Sequence, residues 1–438
     1  MADVAIPGMI GPGDFSSDVR PTDWTQGMLE IDPNGDVILT YLLSVLPKVK
    51  TTSNTFNWHD RLSPSLTAAV VNIYIDSALG TPYVFVTHTG AVAQILYIKM
   101  TEANAKMFRA GDQGLLRDET DADVDTNCLV TGKLIAGAAS YLSVKLLEAD
   151  ATTDGAHDLS DVDIFAGAGT AQGVGSPPPD AVTFAPTAYQ NYTQIYEESL
   201  DLSRTALKEY LRTGDPYNDA KRVALANLLK KKERSYFFGT KYADTDEKNK
   251  ERTFTGGLRW FLKTYASDNV ANFVYDTDYT ADSWATSGEL WLDVQLERIF
   301  RYGSQTKFAI CGSGVLLGLK AIARAGGTYQ ISAKTTSYGL KVVEFISPFG
   351  TLLFKKHPDF IYDDVMRYTA FILDTAYMWE RVMDPIMFKP DPSKGKKGGY
   401  NSVDGVFESF LGETGLMLRN INAFGMLQGF GQANALSN

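Results

Sequence analysis

Three observations in the 438-residue sequence predict an α+β fold carrying a β-rich insertion. Residues 57–186 hold short runs of Val, Ile, Tyr and Leu broken by turn residues. Residues 216–236 repeat apolar side chains at helical spacing. Residues 288–327 alternate helix, strand and helix before a series of short strands. A chain of this length exceeds one ordinary core, so two or three domains are expected.

Residues 1–56 read as an extended arm with little core of its own. Gly11-Pro12-Gly13 and Asp32-Pro33-Asn34-Gly35 are turn signals, and the apolar run 37–46 is one strand or a short helix. In the block 57–186, residues 70–75, 83–87, 91–98 and 141–147 are the expected strands. Residues 167–180, with four glycines and then Ser176-Pro177-Pro178-Pro179-Asp180, have linker composition and mark a boundary.

Asp215 before Pro216 is the favoured N-cap and N1 pairing, and a helix is expected over 216–236. Tyr217, Ala220, Ala224 and Leu228 form its apolar stripe, widened by Leu225 and Leu229. Lys230, Lys231, Lys232 and Arg234 sit where the helix dipole favours cations and are expected as a solvated helix end, stopped at Gly239. Such a helix is roughly 30 Å long at 1.5 Å per residue. Farther on, residues 289–302 and 313–325 are expected helices around a buried strand 307–311, with Ser313 as a cap and Gly326-Gly327 as a stop. Strands are expected at 340–346, 351–355, 369–373 and 414–418, and the Lys/Gly/Pro-rich stretch 389–399 reads as a surface loop.

Composition narrows the function classes. Hydrophobic residues make up 44% and charged residues 21%, as in ordinary globular proteins, and no apolar run is long enough for a membrane span. Residues 1–18 lack the basic and apolar regions of a signal peptide. Two cysteines, Cys128 and Cys311, offer no disulfide framework and fit folding in a reducing cytosol. Of the net charge of −11, residues 1–180 carry 10 Lys/Arg against 23 Asp/Glu. Phosphates are repelled by that half, which argues against sequence-reading nucleic-acid binding.

The sequence carries no recognisable catalytic motif. There is no P-loop and no G-x-S-x-G, and the glycines of 167–175 precede three prolines rather than a helix. Asp121, Asp123 and Asp125 are the weak metal candidates. A calcium loop opening at Asp121 needs Gly at its sixth position and Glu at its twelfth, where the chain has Thr126 and Gly132, so a solvated acidic loop is the reading. His59 and His357 have no nucleophile or ligand partner at recognisable spacing. No catalytic residue and no cofactor are assigned, and the chain is read as a non-enzyme.

The segment Asn191-Tyr192-Thr193-Gln194, followed by Ser203-Arg204-Thr205 and a long helix ending Tyr236-Phe237-Phe238-Gly239, resembles a family of tailed-bacteriophage major capsid (major head) proteins with the Hong Kong 97-type fold. That family usually carries Ser-Gly-Thr where Arg204 stands, a departure that puts the local turn in question. Tyr338-Gly339 through Glu344, His357-Pro358 followed by Ile372-Leu373-Asp374, and Glu413-Thr414-Gly415-Leu416 agree with the same family in order and spacing.

The resemblance implies an N-terminal arm (1–56), an extended loop enlarged by the β-rich insertion (57–186) and a peripheral domain with a long spine helix (187–287). It further implies an axial domain (288–383) and a C-terminal segment returning to the peripheral domain (384–438). It implies self-assembly into hexamers and pentamers of an icosahedral head around double-stranded DNA, without sequence-specific DNA binding. Scaffolding, portal and decoration proteins are the implied partners, and assembly takes place in the bacterial host cytoplasm. An encapsulin-like nanocompartment is the nearest alternative, and a carbohydrate-binding surface protein is the alternative from another class.

Overall fold

The structure, a computed structural model, describes residues 37–62, 66–84, 87–88, 90–119, 125–149, 159–179, 181–209, 215–326, 331–337, 340–391 and 405–436. Within these, the chain divides into two compact units. One joins the residues up to Trp58 with those from Tyr189 onward; the other is His59–Ala188.

The first unit is built on the helix Pro216–Phe238, here called the spine. Asp215 accepts a hydrogen bond from Tyr217 N at 3.0 Å, and Pro216 occupies a first-turn position whose N–H would otherwise lack a partner. The spine ends at Gly239 for steric reasons. A Cβ there would lie 2.5 Å from Ser235 O and 2.6 Å from Thr255 O, both backbone atoms that cannot step aside.

A four-stranded sheet belongs to this unit, in the order Lys48–Lys50, Met378–Lys389, Gly405–Leu418, Gln194–Ser203. Its first pair is parallel and the others antiparallel. Apolar run 37–46 is a helix, Ile38–Val45, whose Ile38, Leu39, Leu42 and Leu43 enter the same core cluster as Leu228, Tyr236 and Phe237 of the spine. Arg204 opens a short helix, Arg204–Lys208, capped by Ser203, and a helical position is open to arginine as it is to glycine.

A seven-stranded sheet also belongs to the unit, in the order Val270–Asn272, Gly425–Gln428, Ala370–Leu373, Thr306–Cys311, Gly350–Lys356, Leu340–Ser347, Ile331–Ser337. Helices Trp284–Phe300 and Ser313–Gly326 share a buried cluster with it, containing Trp284, Trp291, Leu296, Ile299, Val315 and Ile322. The central strand Thr306–Cys311 is buried on both faces from Lys307 onward, as the apolar run Phe308–Cys311 anticipates.

The second unit is one seven-stranded sheet, ordered Thr67–Ala69, Ile164–Thr170, Asp112–Arg117, Asp125–Leu134, Tyr141–Leu146, Ile95–Lys99, Asn72–Tyr74. Two expectations are corrected here. Residues 167–170, read as linker, belong to a strand, because their backbone continues the ladder begun at Ile164, with Gly167, Gly169 and Thr170 opposite Gly114, Gln113 and Asp112; Gly114 in turn leaves room for the ring of Phe165. A Cβ on Gly114 would stand 2.2 Å from that ring. Residues 83–87, read as a strand, form none among those described; only Pro82 bridges, to Tyr74.

Candidate functional site

The spine carries two neighbouring ionisable residues, Lys232 and Glu233, with the rest of their surroundings supplied by distant parts of the chain. Both are buried, at 5% and 1% exposure, which corrects the expected solvated helix end for this part of the cationic cluster. Successive helical residues point about 100° apart. Glu233 and Lys232 therefore address different elements.

Glu233 addresses the arm helix Ile38–Val45. That helix begins after Val37, which has no side-chain oxygen with which to cap it, leaving its first N–H groups without local partners. Glu233 Oε1 accepts from Leu39 N at 2.6 Å and Oε2 from Thr40 N at 2.5 Å, across more than 190 residues of sequence. A carboxylate at a helix N-terminus is favoured by both hydrogen bonding and the macrodipole. His357 Nε2 lies 3.3 Å from Oε1, and His357 Nδ1 accepts from Asp359 N at 3.2 Å. An Nδ1 that accepts leaves the ring proton on Nε2, which donates to Glu233. Phe237 and Phe360 close over the imidazole.

Lys232 addresses the sheet. Its Nζ lies 2.5 Å from Glu380 Oε1, with side-chain exposures of 6% and 2%. Tyr236 Oη donates to the same oxygen at 3.0 Å, and Lys48, on the arm strand Lys48–Lys50, reaches Glu380 Oε2 at 3.5 Å. Strand register places Lys48 opposite Glu380. Burial and the Glu380 charge push the Tyr236 phenol well above its ordinary range, and burial does the same to Tyr196. Both ends of the described arm, helix and strand, are thus held by charged groups on or beside the spine.

The recognised sequence text proves to be internal wiring. Asn191 Nδ2 donates to Leu416 O, Gly256 O and Thr255 Oγ1, while its Oδ1 accepts from Gly256 N. Thr193 donates to Glu413 at 2.5 Å, and Gln194 Oε1 accepts from Ser235 Oγ and Thr255 N. Thr414 meets Tyr236 at 2.7 Å. Asp374 accepts from Ser304 N, Ser304 Oγ and Ala376 N, and lies 3.6 Å from the fully buried Lys307 Nζ. Lys307 also donates to Tyr302 O and Ala423 O; burial lowers it to about 8, with Asp374 opposing the shift.

Of the expected spine stripe, Ala224 and Leu228 are buried. Leu225 packs partly buried against the core, and Ala220 and Leu229 are also partly buried. Tyr217 donates to Glu408 at 2.6 Å, a bond that pushes its own proton loss up to about 12. Asp121 and Asp123 lie outside the described residues; Asp125 forms a two-pronged pair with Arg117 at 2.5 and 2.8 Å. Among the described residues no three His, Cys, Asp or Glu side chains gather as a metal set. Cys128 and Cys311 are buried, the former thiol pushed up to about 12 and the latter higher still, which makes both poor nucleophiles. Sequence reading missed Glu233, Glu380 and Lys307. The one available signal was a helix opening on Val37 with no capping side chain of its own.

The sequence pattern of the SU10 major capsid protein family matches residues 13–431. Among curated proteins, the chain is 25% identical over 234 residues to the major capsid protein of Pseudomonas phage PaMx41, covering 53% of this chain and 55% of that protein. The match therefore spans about half the length of that relative. Among solved structures, the capsid of Myoviridae phage XM1 aligns over 97% of this chain and 99% of its own, at 10% identity and a TM-score of 0.44. A chain of Microbacterium phage Oxtober96 aligns over 96% and 99%, at 8% identity and 0.43. The SrpI encapsulin of Synechococcus elongatus aligns over 56% and 75%, at 10% identity and 0.35.

Proposed function

Since the chain belongs to the SU10 major capsid protein family, we propose that it is the shell-forming subunit of a tailed-phage head with the Hong Kong 97-type arrangement. In this reading it assembles with itself into hexamers and pentamers that close an icosahedral capsid around double-stranded DNA. The observation that carries it, beside family membership, is the docking of the arm. A buried carboxylate and a buried Lys–Glu pair fix the helix Ile38–Val45 and the strand Lys48–Lys50 to the spine. An arm anchored at its base in this way suits a segment that engages a neighbouring subunit.

Under this proposal residues 1–56 are the arm, 57–186 the extended loop with its insertion, and 187–287 the peripheral domain. Residues 288–383 are the axial domain, and 384–438 return to the peripheral domain. The acidic front of the chain would let packaged DNA slide rather than stick. Scaffolding and portal proteins are the expected assembly partners, in the host cytoplasm, with the finished virion head as destination. Such a shell calls for interfaces rather than a catalytic centre.

Sedimentation followed by negative-stain microscopy of the expressed chain, alone and with the other head proteins, tests the proposal. Pentamers, hexamers or uniform closed shells are expected. A monodisperse monomer under every condition refutes it, and shells enclosing a cargo enzyme in place of DNA would assign the chain to nanocompartments.

A further inference from the structure

The sheet of His59–Ala188 has one face in its core and the other open. Alternation along the strands puts Ile73, Leu96, Ile98, Leu142, Val144 and Leu146 inward, all in one buried cluster. The opposite face of the three strands Asn72–Tyr74, Ile95–Lys99 and Tyr141–Leu146 carries Tyr74, Tyr97 and Tyr141, which are partly exposed and take no part in that cluster. Register sets Tyr74 opposite Tyr97, and Tyr141 opposite Lys99. Tyr97 and Tyr141 meet edge to face at 5.3 Å, so their rings present different surfaces to solvent. Small neighbours leave them standing: Ser143 faces Tyr97 and Asn72 faces Lys99.

Charge on this face runs against the charge of the unit around it. Residues 59–188 contain 7 Lys/Arg and 16 Asp/Glu, yet these three strands contain Lys99 and Lys145 and no acid. Lys99 Nζ stands 6.0 Å from the centre of the Tyr74 ring, and Lys145 is exposed beside Ile95. A tyrosine left half-exposed on a sheet face offers a flat π surface with a hydroxyl at its rim.

From this juxtaposition of three tyrosines and two lysines on strands that carry no acid, we infer that the outer sheet face of the insertion binds an acidic polysaccharide. The C–H faces of pyranose rings carry partial positive charge and stack on the negative faces of aromatic rings. Sparse carboxylates along the chain then meet Lys99 and Lys145. A single-stranded nucleic acid also stacks on tyrosines, but it brings one phosphate per nucleotide. Two lysines do not offset that charge density on a unit with a surplus of nine acids, whereas a sugar polymer with its charge spread more thinly is admitted. This inference is independent of shell assembly.

The test is affinity electrophoresis of the full-length protein through native gels containing hyaluronan (one carboxylate per two sugars), dextran or no polysaccharide, with oligo-dT binding measured in parallel. Retardation by hyaluronan is expected, weakening with salt and exceeding that by dextran. Tyr97→Ala with Tyr141→Ala should lower apparent affinity at least tenfold, and Tyr97→Phe, which keeps the ring, should stay within about threefold. Lys145→Glu, at an exposed position, tests the charge without touching the core and should lower affinity severalfold. Absence of retardation in hyaluronan overturns the inference, as does unchanged retardation in the tyrosine or lysine variants. Equal retardation by dextran overturns the acidic class, and tighter binding of oligo-dT than of hyaluronan overturns the polysaccharide.

Discussion

Replacing Glu233 with alanine should release the arm from the spine while leaving the spine itself folded. The magnitude follows from the arm helix's own balance. Ile38, Leu39, Leu42 and Leu43 are essentially fully buried. At ~1.5–3 kcal/mol each they contribute about 6–12 kcal/mol. Ordering the eight residues of the helix costs about 8–16 kcal/mol at ~1–2 kcal/mol per residue. The two ranges overlap, so apolar burial alone leaves the helix near balance. The two hydrogen bonds from Leu39 N and Thr40 N to a charged carboxylate, at ~1.5–3 kcal/mol each, tip the balance. Part of that loss is recovered because a buried charge is removed, so a net local destabilisation of about 2–4 kcal/mol is expected. Hydrogen exchange measured by mass spectrometry on residues 37–46 should quicken by roughly 30- to 1000-fold, since each 1.4 kcal/mol is a factor of ten. Amides in the middle of the spine should keep their protection. Unchanged exchange in residues 37–46 would refute the capping argument, and equal loss across both segments would refute the claim that the effect is local.

Other consequences follow from the same packing. Lys307 has its proton affinity lowered from 10.5 to about 8 in the folded chain, so between those values the unfolded chain holds the extra proton. Stability from this group therefore rises with pH across that window, by about 3 kcal/mol, and Lys307→Met should flatten that slope in urea titrations. Tyr236 and Tyr196 act oppositely: their folded values lie above 10, so the unfolded chain ionises first and their contribution falls once pH exceeds about 10. Gly239→Ala drives a Cβ into two backbone carbonyls and should cost about 1–3 kcal/mol, read as a lowered denaturation midpoint. Leu228→Ala should cost about 2–5 kcal/mol, and Leu229→Ala clearly less, because only Leu228 is fully buried; equal costs by chemical denaturation would contradict the observed helix orientation.

The spine shows how much local text can carry. Asp215, Pro216 and the apolar spacing from Tyr217 to Leu229 encode a helix that the structure extends by two residues, to Phe238. Strand Thr306–Cys311 and the helices on either side were readable for the same reason: continuous apolar text and capping signals act over a few residues. The strand Met378–Lys389 escaped notice because a proline, two charged residues near its start and two register shifts blur its alternation. Glycine content misled in the opposite direction at 167–170, where pairing with Asp112–Arg117 holds the chain extended whatever its local propensity.

The sequence by itself determined the α+β class, the spine, the insertion's β character and, through dispersed motifs, the capsid family to which the chain belongs. It did not disclose why those motifs are there. Lys232 and Glu233 look like ordinary helix-surface residues in one dimension, and only the fold brings Val37's uncapped helix, His357 and Glu380 around them. Periodicity and capping are local interactions written in neighbouring residues. Burial of a charge is set by what the chain places beside it from hundreds of residues away, and that pairing exists only once the tertiary structure has formed.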